Sequence, residues 1–212
     1  MIKLDILSDP ICPWCFIGKA RLDAALAARP DHPFAIEYHP FQLNPDMPPA
    51  GMDRRAYLEG KFGGKAQAAE VYARIDAAAR DAGLEIDWAR IDRTPSTLDA
   101  HRLIHWAGVE GRQVAVVSAL FRAYFLEGRD IGDRDVLADI ADGAELDAAA
   151  IRRLLAGEAD AEDVAARDAH ARARGVTGVP THIVAETHVV PGAQSTELWL
   201  QLIDEITEQI GR

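Results

Sequence analysis

Cysteine is scarce in this chain, with two among 212 residues. That excludes a disulfide-stapled framework, which needs several bridges, and a zinc finger built from two cysteine pairs. Basic residues are outnumbered, 23 Lys and Arg against 34 Asp and Glu, which leaves a net charge of −11. So acidic a chain lacks the basic patch that neutralises phosphates, which argues against nucleic acid or an anionic membrane surface as partner. No stretch approaches the ~20 apolar residues of a membrane span. The start, Met1-Ile2-Lys3-Leu4-Asp5, has no basic segment followed by a long apolar run and a cleavage site. It reads as a strand, and a cytoplasmic location is expected. What the chain does have is 49% apolar residues, enough for a globular core and for one domain with an insertion or two small lobes.

Both cysteines fall in one tetrapeptide, Cys12-Pro13-Trp14-Cys15. It follows an apolar segment, Ile2 to Leu7, and precedes a helical pattern, so it should open a helix. A strand that delivers a Cys-x-x-Cys into the first turn of a helix is an arrangement for making and breaking disulfides. Partial positive charge at the helix N-terminus favours a thiolate at the leading cysteine. Pro13 suits a position whose backbone N–H has no helical partner. Cys12 is therefore expected to attack and Cys15, one turn in and buried, to resolve. A structural disulfide would close too short a loop to stabilise much, and two inert buried thiols do not suit a turn near the surface. Trp14 could shape a substrate surface or pack against the rest of the chain.

Periodicity predicts strands over Ile2–Leu7 and Phe34–Tyr38 around a helix ending near Ala28, a βαβ unit. After the proline-rich loop 44–51 the pattern is helical to about Gly157, with stripes such as Val71, Ile75 and Ala79, or Val117, Phe121 and Tyr124. A helix from Ala161 to Arg174, a hairpin over Thr181–Val184 and His188–Val190, and a helix carrying Trp199, Ile203 and Ile210 close the chain. The fold class expected is α/β, a thioredoxin-like sheet carrying a helical insertion, with residues 1–43 and 158–212 forming the first part and 44–157 the second. His101 and His105 share a helix face at metal-ligand spacing, but the segment lacks the glutamate of a zinc protease motif, and helix packing is the expected role. No metal site is expected. Asp5 and Glu37 are expected on a solvated strand face.

The segment Ser8-Asp9-Pro10-Ile11-Cys12-Pro13-Trp14-Cys15-Phe16-Ile17-Gly18-Lys19 resembles the active-site region of FrnE-like proteins in the DsbA family of disulfide oxidoreductases. Phe41-Gln42-Leu43-Asn44-Pro45-Asp46-Met47-Pro48, Ala100-His101-Arg102-Leu103, Leu120-Phe121-Arg122-Ala123-Tyr124-Phe125 and Gly175-Val176-Thr177-Gly178-Val179-Pro180-Thr181 extend the resemblance over most of the chain. It implies a thioredoxin fold, a helical insertion and dithiol chemistry. In the expected cytoplasmic location, with glutathione as redox partner and no bound cofactor, exchange with protein or small-molecule disulfides is expected in the reductase or isomerase direction. The resemblance also implies that Val179-Pro180 is a cis-proline loop beside the cysteines and that Pro13, Trp14, Val179 and Pro180 border the substrate. A homodimer contact on the helical block is a further expectation. Kappa-class glutathione transferases and 2-hydroxychromene-2-carboxylate isomerases look similar in layout but place a serine at the position of Cys12. A glutathione-dependent isomerase or transferase is the alternative, and a binding module without turnover is a third reading that leaves the thiols without a purpose.

Overall fold

The structure, a computed structural model, describes residues 1–210. Strand β1 (Ile2–Ser8), helix α1 (Pro13–Ala28) and strand β2 (Phe34–Pro40) form the expected βαβ unit, β1 and β2 pairing in parallel with Ile2 opposite Phe34. The chain then leaves the sheet. A two-stranded ribbon, β3 (Met52–Asp53) with β4 (Arg93–Thr94), brackets helices α2 (Arg54–Phe62) and α3 (Lys65–Asp81). Helices α4 (Leu98–Val109), α5 (Gln113–Phe125), α6 (Arg134–Gly143), α7 (Ala148–Ala156) and α8 (Ala161–Ala173) follow. The hairpin β5 (Thr181–Val184) and β6 (His188–Pro191) completes a sheet of order β2-β1-β5-β6, and α9 (Thr196–Ile210) packs back on α1. Among the described residues no helix is long and apolar enough to cross a membrane.

The ribbon departs from the purely helical pattern expected between residues 44 and 157. Two residues are too few for an alternation to show in sequence, and tertiary pairing sets them. Phe16 of α1 stacks on Phe121 and Phe125 of α5, with ring centroids 5.4 and 5.3 Å apart. This stack joins the helical block to the dithiol helix through the residue beside Cys15. Gln113, at the start of α5, acts as an extra strand residue: its side-chain oxygen accepts from Tyr38 N at 2.7 Å and its Nε2 donates to Tyr38 O at 3.1 Å. The outer edge of β2 is thereby covered rather than left open for pairing. Arg102, 1% exposed, donates to the carbonyls of Leu154, Gly157 and Ala159 at 2.7–2.8 Å and to Asp99 at 2.6 Å. It stitches α4 to the α7–α8 connection, satisfying carbonyls that a helix end would otherwise leave unpaired.

Candidate active site

Cys12 is the N-cap of α1: its backbone is extended, and its carbonyl accepts from Cys15 N at 3.1 Å and Phe16 N at 3.2 Å. Pro13 takes the first helical position, where it forfeits no hydrogen bond. Cys15 sits one turn along. Both thiols are free, and both are almost covered, Cys12 3% and Cys15 2% exposed. The surface position expected for Cys12 is thus corrected: its side chain belongs to the main apolar core, and its sulfur meets the Val179 carbonyl.

The loop before β5 closes on the other side. The Val179–Pro180 peptide is cis, and Cys12 Sγ lies 3.7 Å from the Val179 carbonyl oxygen, to which it donates. Gly18 permits this approach: a Cβ there would lie 3.1 Å from Pro180 Cγ and 3.3 Å from Ala193 Cα. The structure therefore brings Cys12, Cys15, Val179 and Pro180 together, with Pro13 half-buried beside them. Trp14 is 38% exposed and so faces outward from the pair. Next to Pro180, a groove of about 400 Å³ runs between the Arg174–Val179 segment and the β6 residues Val189 and Pro191.

Burial pushes the Cys15 thiol well above its ordinary range, and its hydrogen bond to Cys12 pushes the same way. Ser8 and the Asp9 backbone pull it down more weakly. Ser8, Lys19, Tyr38, Pro180 and His182 line the same crevice as Cys15. Lys19 is only 7% exposed and pairs with Asp23 at 2.5 Å.

Beneath the dithiol lies a pair that the sequence did not announce. Asp9 is fully buried, and its carboxylate accepts from Leu43 N at 2.6 Å and Ile11 N at 3.4 Å, while its own carbonyl accepts from Cys12 N. Burial raises its carboxyl to about 7. His101 of α4, 3% exposed, points Nε2 at Asp9 Oδ1 from 3.8 Å without a hydrogen bond, and burial lowers its ring to about 3. Ser8-Asp9-Pro10 reads as a turn, which hides Asp9. Its signal is an acidic residue on a turn flanked by apolar segments, visible only once Leu43 is known to lie beside it.

His105 does not join His101. It meets Arg167, which also reaches His39 Nδ1 at 3.0 Å, while His39 Nε2 bonds Asp5 at 2.6 Å. Asp5, Glu37 and His39 cluster closely enough to offer three ligand atoms to a metal, but Lys3 lies 3.1 Å from Asp5 and 3.3 Å from Glu37, and Arg167 3.6 Å from Glu37. These cations already balance the carboxylates. The expected solvated strand face is instead a partly buried ion-pair network, in which Asp5 is 8% exposed.

A family model described as the DSBA-like thioredoxin domain matches residues 3–204. The uncharacterized protein YwbO of Bacillus subtilis is 27% identical over 210 residues, 96% of each chain. A crystal structure of a probable DsbA oxidoreductase from Streptomyces coelicolor superposes with a TM-score of 0.85 at 34% identity, covering 97% of this chain and 89% of that one. Two more distant structures share the fold: the cytosolic disulfide reductase DsbM of Pseudomonas aeruginosa (TM-score 0.70, 18% identity, 98% and 99% covered) and a 2-hydroxychromene-2-carboxylate isomerase (0.73, 16%, 99% and 98%). With a thioredoxin-like sheet, a Cys-x-x-Cys opening α1 and a family match over nearly its whole length, the chain belongs to the DSBA-like thioredoxin domain family.

Proposed function

We propose that the protein is a thiol-disulfide oxidoreductase of the FrnE-like kind that works through its Cys12–Cys15 dithiol in the cytoplasm. The Cys12 thiolate attacks one sulfur of a disulfide; that S–S bond breaks, a Cys12–sulfur bond forms, and one thiolate leaves to take up a proton. The Cys15 thiolate then attacks Cys12 Sγ, releasing the second thiol. Two electrons pass from the dithiol to the substrate, and glutathione is the expected redox partner that reverses the change. The observation that carries this reading is the contrast within the pair. Cys12 caps α1 against the Val179 carbonyl, while Cys15 sits one turn inside the helix, its thiol pushed up by burial. Against a cytoplasmic glutathione pool at roughly −220 to −320 mV, a pair of higher potential sits reduced and acts as a reductase or isomerase.

Pro13, Trp14, Val179 and Pro180 are the residues we assign to the substrate border, and residues 44–157 to an inserted helical unit over the dithiol. The alternative, a glutathione-dependent isomerase, draws on the fold shared with the 2-hydroxychromene-2-carboxylate isomerase. The test is equilibration with glutathione redox buffers, followed by insulin reduction with each cysteine variant. A pair that titrates, with insulin reduction lost in Cys12→Ser, supports exchange. A pair that never changes state, with glutathione-dependent isomerase turnover instead, promotes the alternative.

A further inference from the structure

The face of α1 that carries Cys15 continues into two ionisable residues at helical spacing. Lys19 follows Cys15 by four residues and Asp23 follows Lys19 by four, so the three are successive neighbours along one stripe of the helix. Exposure rises along the row. Cys15 is 2% exposed, the Lys19 side chain 6% and the Asp23 side chain 49%. Lys19 Nζ donates to Asp23 Oδ2 at 2.5 Å. One ammonium thus stands between a covered thiol and a carboxylate that reaches solvent.

Helix stability does not account for that ammonium. Burying a charge is costly unless its partners repay the lost hydration, and an exposed ion pair would serve the helix as well. Lysine also precedes the acid, the less favourable order along a helix. An ammonium has three N–H donors, and among the described residues Asp23 is its one hydrogen-bond partner. Donors are therefore left for a second acceptor.

The crevice that Lys19 enters is the one behind Cys15. Ile6 of β1 stands opposite Tyr38 of β2 and His182 of β5, and this row of the sheet, with Ser8, faces Cys15, Lys19 and Leu22 of α1. The neutral groups there are poor acceptors for a thiol proton. His182 Nδ1 donates to the Val190 carbonyl at 3.2 Å, and burial lowers the ring to about 4. Burial raises the Tyr38 hydroxyl, and the charges of Asp23 and Cys15 raise it further, so all three lie within one another's field. The Ser8 hydroxyl bonds the Cys15 sulfur, but burial and Cys12 together hold that thiol protonated. Attack by Cys15 requires the proton to leave, and Lys19 is the charged group lining its crevice.

Building on the disulfide-exchange reading above, we propose that Lys19 and Asp23 carry the Cys15 proton to solvent during the resolving step. Lys19 passes one N–H proton to Asp23 and takes the Cys15 proton in its place, so the ammonium is restored beside a thiolate. Asp23 releases its proton to water. The Cys15 sulfur attacks Cys12 Sγ, the bond from Cys12 to the substrate sulfur breaks, and the departing thiolate takes a proton from solvent.

The test isolates that step. Reduced protein is mixed with excess glutathione disulfide, quenched in acid at intervals and followed by mass spectrometry. The glutathione adduct on Cys12 appears first and disappears when Cys15 releases it. In the wild type, release should be nearly flat between about pH 6 and 8, because the protein carries its own proton acceptor. In Lys19→Met the adduct should form, but its release at pH 7 should be about 100-fold slower and rise about tenfold per pH unit, as when hydroxide alone takes the proton. Asp23→Asn keeps the ammonium and removes its acceptor, so release should slow here too; this half-exposed site serves if Lys19→Met does not fold. An ammonium acting only as a fixed charge would instead speed release in Asp23→Asn, since losing its partner strengthens its pull on the thiolate. Wild-type rate and pH slope in Lys19→Met, or unchanged or faster release in Asp23→Asn, overturns the proposal alone. A wild-type protein that never forms the adduct overturns the exchange reading and the proposal with it.

Discussion

Replacing His101 with leucine should change how stability responds to pH, in a direction fixed by the burial of the imidazole. In the folded protein the ring titrates at about 3, whereas an exposed histidine titrates at 6.5. A group whose folded pKa is depressed contributes stability above its unfolded pKa and loses it as pH falls. From pH 6.5 downward the unfolded chain takes up a proton that the folded chain refuses. Each pH unit then costs the wild type about 1.4 kcal/mol, towards a limit of about 5 kcal/mol near pH 3. Asp9 has the opposite sign. Its folded pKa is raised from 3.8 to about 7, so its contribution is fully present below 3.8 and fades as pH rises to about 7. In the wild type the two slopes cancel between about pH 4 and 6.5. His101→Leu removes one of them, so the variant should gain on the wild type by about 3 kcal/mol between pH 6.5 and 4.5. Urea unfolding of both proteins across that interval measures the difference, in which Asp9 and every other carboxyl group appear on both sides. A stability difference that stays constant from pH 7.5 to 4.5 would refute a neutral, desolvated His101.

Two further substitutions probe the frame that carries the dithiol. Arg102→Met leaves the Gly157 and Ala159 carbonyls without their donor, while the Leu154 carbonyl still accepts from Gly157 N, and should cost about 2–6 kcal/mol by urea unfolding, at about 1–3 kcal/mol for each buried polar group left unpaired; a loss below about 1 kcal/mol contradicts the stitching role. Gly18→Ala gains about 1 kcal/mol of helix propensity but drives a methyl group against Pro180 and Ala193, where overpacking costs about 1–3 kcal/mol. The variant should be no more stable than wild type and slower in disulfide exchange, and a clear gain in melting temperature with unchanged exchange would show that the loop yields freely.

How much of this was legible in sequence depended on whether the signal was local. The strand, the Cys-x-x-Cys and the helix it opens are consecutive, so spacing alone locates them, and Phe34, Ile36 and Tyr38 alternate cleanly. The hairpin and closing helix are equally local. The β3–β4 ribbon was invisible because its pairing joins Met52 to Thr94 across more than forty residues. Burial of Cys12 against the Val179 loop and the approach of Asp9 to His101 are products of tertiary contact between segments that carry no mutual mark. His101 and His105 show the converse, since a shared helical face suggested a common role and the structure sends them to Asp9 and Arg167 respectively.

The division of labour between the two thiols is tested most directly by trapping. Cys12→Ser and Cys15→Ser proteins are incubated with glutathione disulfide, and adducts are followed by mass spectrometry under non-reducing conditions. Cys15→Ser should rapidly gain one glutathione on Cys12, with no second thiol to release it. Cys12→Ser should react far more slowly, because its remaining thiol, one turn into α1, is held protonated by burial. Equal rates for the two variants, or faster capture by Cys12→Ser, would contradict Cys12 as the attacking thiol.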